Sequence, residues 1–386
     1  MNNRASGLDK CLPQQIIEQK TADEIEVYLS GRGKSSIHQS ARNLSLNVSD
    51  DYGNRFLVEL IQNAHDAHGP GTHDGRIAVV FAPEECEFGC LYVANRGNGF
   101  SEKNFRALTN IALSSKPVNE SIGNKGLGFR SVLQICQWPE IYSVGEQGAK
   151  GDFDGYCFRF ADRDDVAEFI GGPEASALAD EVLQNMPCWY LPVYASERPG
   201  LVNRFAGEKY ASVVRIPLVS EKARDLVLAQ FDALLDREHP LHLFLDRIAC
   251  ISLEREPGKA ETLQRNTLEH WKLDSGITAE RIRVGSDDYL LAMYNLDPQA
   301  FRKQLELSIA RKEVPEAWLD WQGSAQVSIA VRLGKSVANG LMYCFLPLGD
   351  EGKAPFAGYI NANFYTKMDR RSVNDGVGQG RSMKIR

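Results

Sequence analysis

Two carboxylates and an amide recur at helical spacing in the segment Asn54–His68, which reads N-R-F-L-V-E-L-I-Q-N-A-H-D-A-H. Glu59, Asn63 and Asp66 stand at positions i, i+4 and i+7, so a helix would place them on one face. Their oxygens are the hard ligands that Mg²⁺ takes, and that ion keeps further positions for water and phosphate. We predict that this face holds Mg²⁺ and a water; the alternative, for this helix alone, is an ordinary solvated face.

Two glycine-bearing segments follow this helix in the chain. The first, Asn95–Phe100, reads N-R-G-N-G-F and comes directly after a predicted strand. Gly97 and Gly99 lack a Cβ, which lets the backbone turn tightly and approach a flat ligand. The second, Ile122–Phe129, reads I-G-N-K-G-L-G-F and leads into a predicted helix whose free N–H groups and dipole suit phosphate. In this order, the three segments predict a nucleotide pocket.

The pattern E-x-x-x-N-x-x-D-A, then x-x-G-x-G after a strand, then G-x-x-G-x-G resembles the signature of the GHKL ATPases, which include Hsp90, gyrase B, MutL and histidine kinases. Within this group, the sacsin-type, Hsp90-related branch is most similar in the segments F-L-V-E-L-I-Q-N-A-H-D-A and S-I-G-N-K-G-L-G-F-R-S-V. Later segments, such as L-F-L-D-R-I-A-C-I-S-L-E and Y-I-N-A-N-F-Y-T-K-M-D-R-R-S-V, resemble regions that follow the ATPase domain in that branch. The likeness is dense over residues 50–145 and patchy over 210–375.

The resemblance implies a role for each matching residue. Glu59 would polarise the attacking water, Asn63 would bind Mg²⁺, and Asp66 would lie beside the nucleotide. Asn95 would meet the adenine amino group. Gly97 and Gly99 would shape the base pocket. The backbone N–H groups of Gly123, Gly126, Gly128 and Phe129 would bind the phosphates. Lys116 would contact a phosphate, and Arg370, or its neighbour Arg371, would reach the γ-phosphate.

Position 95 departs from the pattern, because most of the group has Asp where this chain has Asn. An amide oxygen accepts a hydrogen bond from adenine more weakly than a carboxylate does, by about 1 kcal/mol. The amide can also turn and donate, which would suit a guanine carbonyl. We expect ATP to be preferred, with relaxed selection between ATP and GTP as the alternative.

The order of helical and strand-like segments predicts an α/β (α+β) fold with a mixed sheet. The resemblance implies a Bergerat-fold two-layer sandwich with an N-terminal helical extension over residues 1–220. A second, middle or transducer-like α/β domain would cover 221–375, and a flexible basic tail 376–386. Pro217 and the polar segment Ser220–Lys222 mark the expected boundary. The segment Ser101–Ser121 would be a movable lid.

The overall composition limits the partners and the compartment that we expect for this chain. The 386 residues carry a net charge of −7, which disfavours electrostatic binding of nucleic acid along the whole chain. The eight cysteines form no C-x-x-C pair, and neither a secretory signal nor a long apolar run is present. We expect a cytoplasmic protein with reduced thiols and no membrane partner.

The resemblance implies a slow, Mg²⁺-dependent ATPase that acts as a conformational switch. It would serve as a chaperone or as a module of a larger assembly, in bacteria one of defence or stress, and closure would involve a protein partner or a homodimer. Two alternatives stay open. One is a nucleotide-sensing scaffold that binds ATP without hydrolysing it; the other is a DNA-processing ATPase like MutL or a topoisomerase. A histidine kinase is least favoured, since no phosphoacceptor helix is visible upstream.

Overall fold

The structure is a computed structural model that describes residues 12–32, 38–43, 55–110, 128–145, 148–236, 238–273, 276–321, 325–349, 351–366 and 373. Several residues of the predicted site lie outside this part of the chain: Lys116, Gly123, Gly126, Arg370 and Arg371.

The α-helices with assigned bounds are α1 (Leu12–Gly31), α2 (Phe56–Asp66), α3 (Glu102–Thr109), α4 (Arg163–Ile170), α5 (Ala175–Asn185), α6 (Gly200–Gly207), α7 (Glu221–Leu234) and α8 (Pro298–Ala310). Residues 38–43 are also helical. Short 3₁₀ segments cover Gly128–Gln134, Cys188–Tyr190 and Glu316–Asp320.

The strands are β1 (Gly75–Ala82), β2 (Cys90–Asn95), β3 (Glu140–Ser143), β4 (Phe158–Phe160), β5 (Pro192–Tyr194), β6 (Ser212–Pro217), β7 (Ile248–Glu256), β8 (Lys259–Lys272), β9 (Ile277–Val284), β10 (Asp287–Asn295), β11 (Gln326–Arg332), β12 (Leu341–Cys344), β13 (Leu346–Pro347) and β14 (Tyr359–Ala362).

The described strands join in one mixed sheet, in the order β13-β12-β14-β11-β10-β9-β8-β7-β1-β2-β6-β3-β4-β5. The pairs β1–β7 and β12–β14 are parallel, and the other pairs are antiparallel. Strand β8 pairs with β7 along its first half and with β9 along its second. The prediction of a mixed α/β (α+β) fold is therefore confirmed.

Strand β1 supplies side chains to two separate cores. Ile77 and Val79 pack on one face with α2 and α7, while Ala78 and Val80 pack on the other face with residues of α6. Successive side chains of a strand point to opposite faces, so a strand covered on both sides reads as a continuous apolar run. Helix α6 thus adds cover to a face that a two-layer sandwich would leave open.

Strand β7 comes after the boundary expected near Leu218, yet it pairs with β1 in register Ile77↔Ile251 and Val79↔Leu253. Residues on both sides of that boundary therefore share one hydrogen-bonded sheet. The division of the chain into domains stays a prediction.

The first part of the expected lid is a regular helix. The Oγ of Ser101 accepts from the Asn104 backbone N–H at 3.2 Å, and Asn104 Oδ1 accepts from the Ser101 N–H at 3.0 Å. This reciprocal cap starts α3, whose Phe105 is buried in the main core. The movable lid stays a prediction; residues 111–121 lie outside the described part of the chain.

Within the described residues, no helix combines the length and the apolar character that crossing a bilayer requires.

Candidate functional site

Helix α2 carries a buried acidic face. Glu59 is 2% exposed, the Asp66 side chain is also 2% exposed, and Asn63 is half-buried. The opposite side of the helix, with Leu57 and Ile61, packs in the main core, as the apolar spacing predicts. A solvated face would leave the two carboxylates in water, so the alternative of an ordinary surface helix does not hold for Glu59 and Asp66.

The start of α2 is held by parts of the chain far away in sequence. The Leu57 N–H donates to Oε1 of Gln230 on α7 at 2.9 Å, and Nη2 of Arg55 donates to the carbonyl of Pro347 at 2.7 Å. The first N–H groups of a helix have no partner within the helix, so the Gln230 amide satisfies one of them. These contacts fix the position of the acidic face.

The segment Asn95–Phe100 packs on the C-terminal end of α2. The Asn98 N–H donates to the carbonyl of Ala67 at 2.8 Å. A Cβ added to Gly97 would lie 2.5 Å from the Ala67 oxygen. The backbone that approaches Gly97 is therefore part of the chain itself, which gives this glycine a packing reason beyond the predicted ligand contact.

The other end of the segment is held by Ser143, the last residue of β3. Ser143 Oγ accepts from the Phe100 N–H at 2.6 Å and donates to the Val144 carbonyl at 3.0 Å. A Cβ at Gly99 would lie 2.3 Å from that Val144 oxygen. The two glycines thus let one loop fit between α2 and the end of β3.

The side chain of Asn95 is buried and both of its polar atoms are engaged. Its Oδ1 accepts from the Gly97 N–H at 2.9 Å, and its Nδ2 donates to Ser212 Oγ at 2.6 Å. Because a backbone N–H can only donate, the Gly97 contact determines which end of the amide carries the oxygen. One lone pair of Oδ1 is left for a further donor.

Sequence reasoning missed Ser212 and Ser143. Ser212 lies on β6 directly opposite Asn95, and the register that brings them together joins residues 117 positions apart. Neither serine belongs to a local motif, so only the strand pairing could have pointed to them.

The 3₁₀ segment Gly128–Gln134 packs against α2. Phe129 is 9% exposed and meets the Trp189 ring edge-to-face at 5.9 Å. Arg130, 2% exposed, donates through Nη2 to the Asn110 carbonyl at 2.7 Å, and burial lowers its pKa. Gly128 and Phe129 are thus placed beside the acidic helix on a firmly packed segment, a short 3₁₀ helix where an α-helix is predicted.

His65 connects the site with the segment before β7. Its Nδ1 lies 3.4 Å from Asp66 Oδ1, and its Nε2 lies 3.4 Å from Asp246 Oδ1. Burial by itself would lower the pKa of His65, but the carboxylates of Asp246 and Asp66 outweigh it and the pKa is raised. In addition, Nη1 of Arg247 donates to the carbonyl of His68 at 2.9 Å. Helix α2 is therefore tied to the segment that leads into β7.

The structure brings together a large part of the predicted site. Glu59, Asn63 and Asp66 share α2, the Asn95–Phe100 segment covers its C-terminal end, and Gly128 begins the segment alongside. The oxygen ligands on α2 form a donor set of the kind that Mg²⁺ accepts.

Comparison with known proteins gives one partial match. No family model matches the chain. Over 146 residues, 37% of this chain, it is 29% identical to Protein NO VEIN of Arabidopsis thaliana, and the match spans 5% of that protein.

Proposed function

We propose that this chain binds Mg²⁺-ATP in a GHKL-type pocket of the Hsp90-like, sacsin-type branch and hydrolyses it slowly as a conformational switch. The observation that carries the proposal is the burial of Glu59 and Asp66 on α2, beside a loop anchored by Asn95. The order of the three sequence motifs, from Glu59 to Phe129, supports the proposal independently of this burial. A match to a short part of a much longer protein is in keeping with a module of a larger assembly.

In this proposal Glu59 accepts a proton from the attacking water, and Asn63 supplies an oxygen to Mg²⁺. The metal, when bound, neutralises developing charge on the phosphates. Asn95 receives the adenine amino group on the free lone pair of Oδ1. Gly128 and Phe129 contribute backbone N–H groups, and Arg370 stabilises charge on the transferring phosphoryl group. The closed state would relax after hydrolysis.

Mg²⁺-ATP is expected to raise the melting temperature of the wild-type protein by about 3 °C at a hundredfold excess over the dissociation constant. The Gly126→Val variant, which blocks the predicted phosphate cradle, should lose this rise. Differential scanning fluorimetry with ATP, ADP and GTP, each with and without Mg²⁺, measures it. A wild-type protein that responds to no nucleotide contradicts the proposal as a whole.

Turnover separates the ATPase from the scaffold that only binds. Glu59→Ala should retain the thermal response to ATP and lose hydrolysis by about 10²- to 10⁴-fold, since a general base contributes that much. Glu26 of α1 is an exposed helical glutamate, and Glu26→Ala serves as the matched control. If phosphate release is equally slow in wild type, Glu26→Ala and Glu59→Ala, the binding-only function replaces the enzyme.

Base selection tests the role of Asn95. Because Gly97 and Ser212 hold its amide with the oxygen toward the loop, we expect ATP to bind at least tenfold more tightly than GTP. Ser212→Ala removes the bond to Nδ2 but leaves the Gly97 N–H that fixes the oxygen, so it should weaken ATP binding and keep that preference. Asn95→Asp should tighten ATP by about 1 kcal/mol, with Ser212 then donating to the carboxylate. Competition binding between ATP and GTP decides; equal affinities in wild type support relaxed selection.

A further inference from the structure

A polar groove lies on the sheet face opposite α2, beyond the part that α6 covers. Paired residues on neighbouring strands form two rows along the groove. Arg76 of β1 pairs with Cys250 of β7, which pairs with Gln264 of β8. In the next row Ser252 pairs with Thr262. Side chains two apart on a strand share a face, so these groups line one surface.

The groove encloses about 450 Å³ and is also lined by Arg96, Glu208, Tyr210 and Asn266. That volume lies within the usual range for a small-molecule site. Its lining combines two guanidinium groups with hydroxyls and side-chain amides, and the aliphatic share is small. This composition suits a ligand that is itself rich in hydrogen-bonding groups and carries negative charge.

Within the part of the chain that the structure describes, the two arginines of the groove have no carboxylate partner. Among the residues that the structure describes, neither Arg76 nor Arg96 forms an ion pair, and the nearby Glu208 is paired with Arg204 at 2.9 Å. The guanidinium of Arg96 lies over the Tyr210 ring at 4.9 Å, and its Nε is buried without a hydrogen-bond partner. Because Nε is closed off from the groove, an anion there would bind the other guanidinium N–H groups of Arg96.

Stacking on Tyr210 restrains Arg96, so little side-chain entropy remains to be lost on binding. Planar guanidinium groups recognise phosphate through paired N–H donors. Arg96 directly follows Asn95, but the two side chains project to opposite faces because they alternate along the chain. The groove is therefore a separate place from the predicted nucleotide pocket.

We propose that this groove binds a small phosphate monoester of a hydroxyl-rich molecule, such as a sugar phosphate. The phosphate lies on Arg76 and Arg96. The hydroxyl groups face Ser252, Thr262 and Gln264. The site is independent of the proposed nucleotide binding, so each can fail without the other.

Isothermal titration calorimetry with glucose 6-phosphate as the probe tests the proposal, with glucose and inorganic phosphate as partial probes. Wild type should bind glucose 6-phosphate at least tenfold more tightly than either partial probe. Arg76→Ala should weaken binding of glucose 6-phosphate at least tenfold. Thr262→Val should weaken the binding of glucose 6-phosphate about threefold and leave the binding of inorganic phosphate unchanged. Arg76 and Thr262 are exposed, so both variants should fold. Arg224→Ala, at an exposed arginine on α7, is the matched control and should bind as wild type does.

Cys250 provides a second, local measurement because it is a free, half-buried thiol that lines the groove. Glucose 6-phosphate should slow its alkylation by iodoacetamide, read by peptide mass spectrometry, while the exposed Cys86 reacts unchanged. The proposal is overturned if no probe binds at millimolar concentration, or if Arg76→Ala binds as wild type does. The proposal is also overturned if a single-stranded oligonucleotide binds while the sugar phosphate does not, and if Arg76→Ala abolishes that binding. The groove would then bind a nucleic-acid backbone.

Discussion

Gly97→Ala is expected to destabilise the protein by about 3 kcal/mol or more and to abolish ATP binding. The added methyl group would lie 2.5 Å from the Ala67 oxygen and 2.6 Å from its carbonyl carbon. Both are backbone atoms at the C-terminal end of α2, and they can move only if the loop leaves the helix. Since the Gly97 N–H holds the Asn95 side chain, the proposed contact of Asn95 with the base would be lost together with the fold of the loop.

Gly99→Ala should behave in the same way, because its methyl group would lie 2.3 Å from the Val144 oxygen. Gly207→Ala is the matched control: it lies in α6 with no atom within 4 Å of the added carbon. Removing a helical glycine there should leave stability unchanged or raise it by up to about 1 kcal/mol. Urea denaturation measures all three. A Gly97→Ala protein as stable as wild type would mean that the loop does not rest on Ala67.

The free energy of unfolding is expected to fall steeply as the pH drops from 6.5 toward 4, through His68 and His242. Burial lowers the pKa of each to about 4, from an ordinary value of 6.5. His68 keeps one hydrogen bond, from Nδ1 to the Ala64 carbonyl at 2.8 Å. The ring of His242 approaches the Gln264 backbone, and neither of its nitrogens completes a hydrogen bond of ordinary geometry within the described residues.

The sign follows from proton uptake. Between pH 6.5 and 4 the unfolded chain holds these two protons and the folded chain does not, so acid favours unfolding. Below pH 4, each of the two histidines lowers the free energy of unfolding by about 3 kcal/mol relative to its value above pH 6.5. His65 acts in the opposite sense. Because its pKa is raised, its stabilisation is complete below pH 6.5 and is lost as the pH rises through the raised pKa.

His242→Leu isolates one of the two contributions. The leucine fills a similar volume without a buried polar atom, so stability at pH 7 should be unchanged or higher. The fall between pH 6.5 and 4 should shrink by about half, and the remainder belongs to His68. Urea midpoints from pH 4 to 8 measure both profiles. Superimposable profiles would show that His242 is not buried as a neutral ring.

Local patterns in the sequence were sufficient for the elements that build the site. The 3.6-residue spacing of Leu57, Leu60, Ile61 and Ala64 predicts α2, and those four side chains are buried. Strands are predicted at Arg76–Ala82, Gly89–Asn95 and Ser212–Leu218, and these correspond to β1, β2 and β6. The types and spacing of Glu59, Asn63 and Asp66 likewise placed them on one face of a helix.

Elements with weak periodicity escaped prediction. Strand β8 is exposed along nearly all of its fourteen residues, so it lacks the apolar alternation that marks a strand. Helix α4 begins at a reciprocal cap between Asp162 and Asp165, a signal too short to predict a helix by itself, and α8 buries only Leu305 fully. Their stability comes from pairing and packing with the elements next to them, β7 and β9 for β8 and each other for α4 and α5.

The sequence by itself determined which residue types stand on one helix face and which loops carry glycine, because these depend on spacing along the chain. Tertiary structure alone decided that the Asn95 Nδ2 donates to Ser212, that His65 lies beside the distant Asp246, and that Arg76 and Arg96 share a groove. Each of these depends on strand register or on helix position over separations of tens to hundreds of residues. A shift of register by one residue would turn every side chain of a strand to the other face.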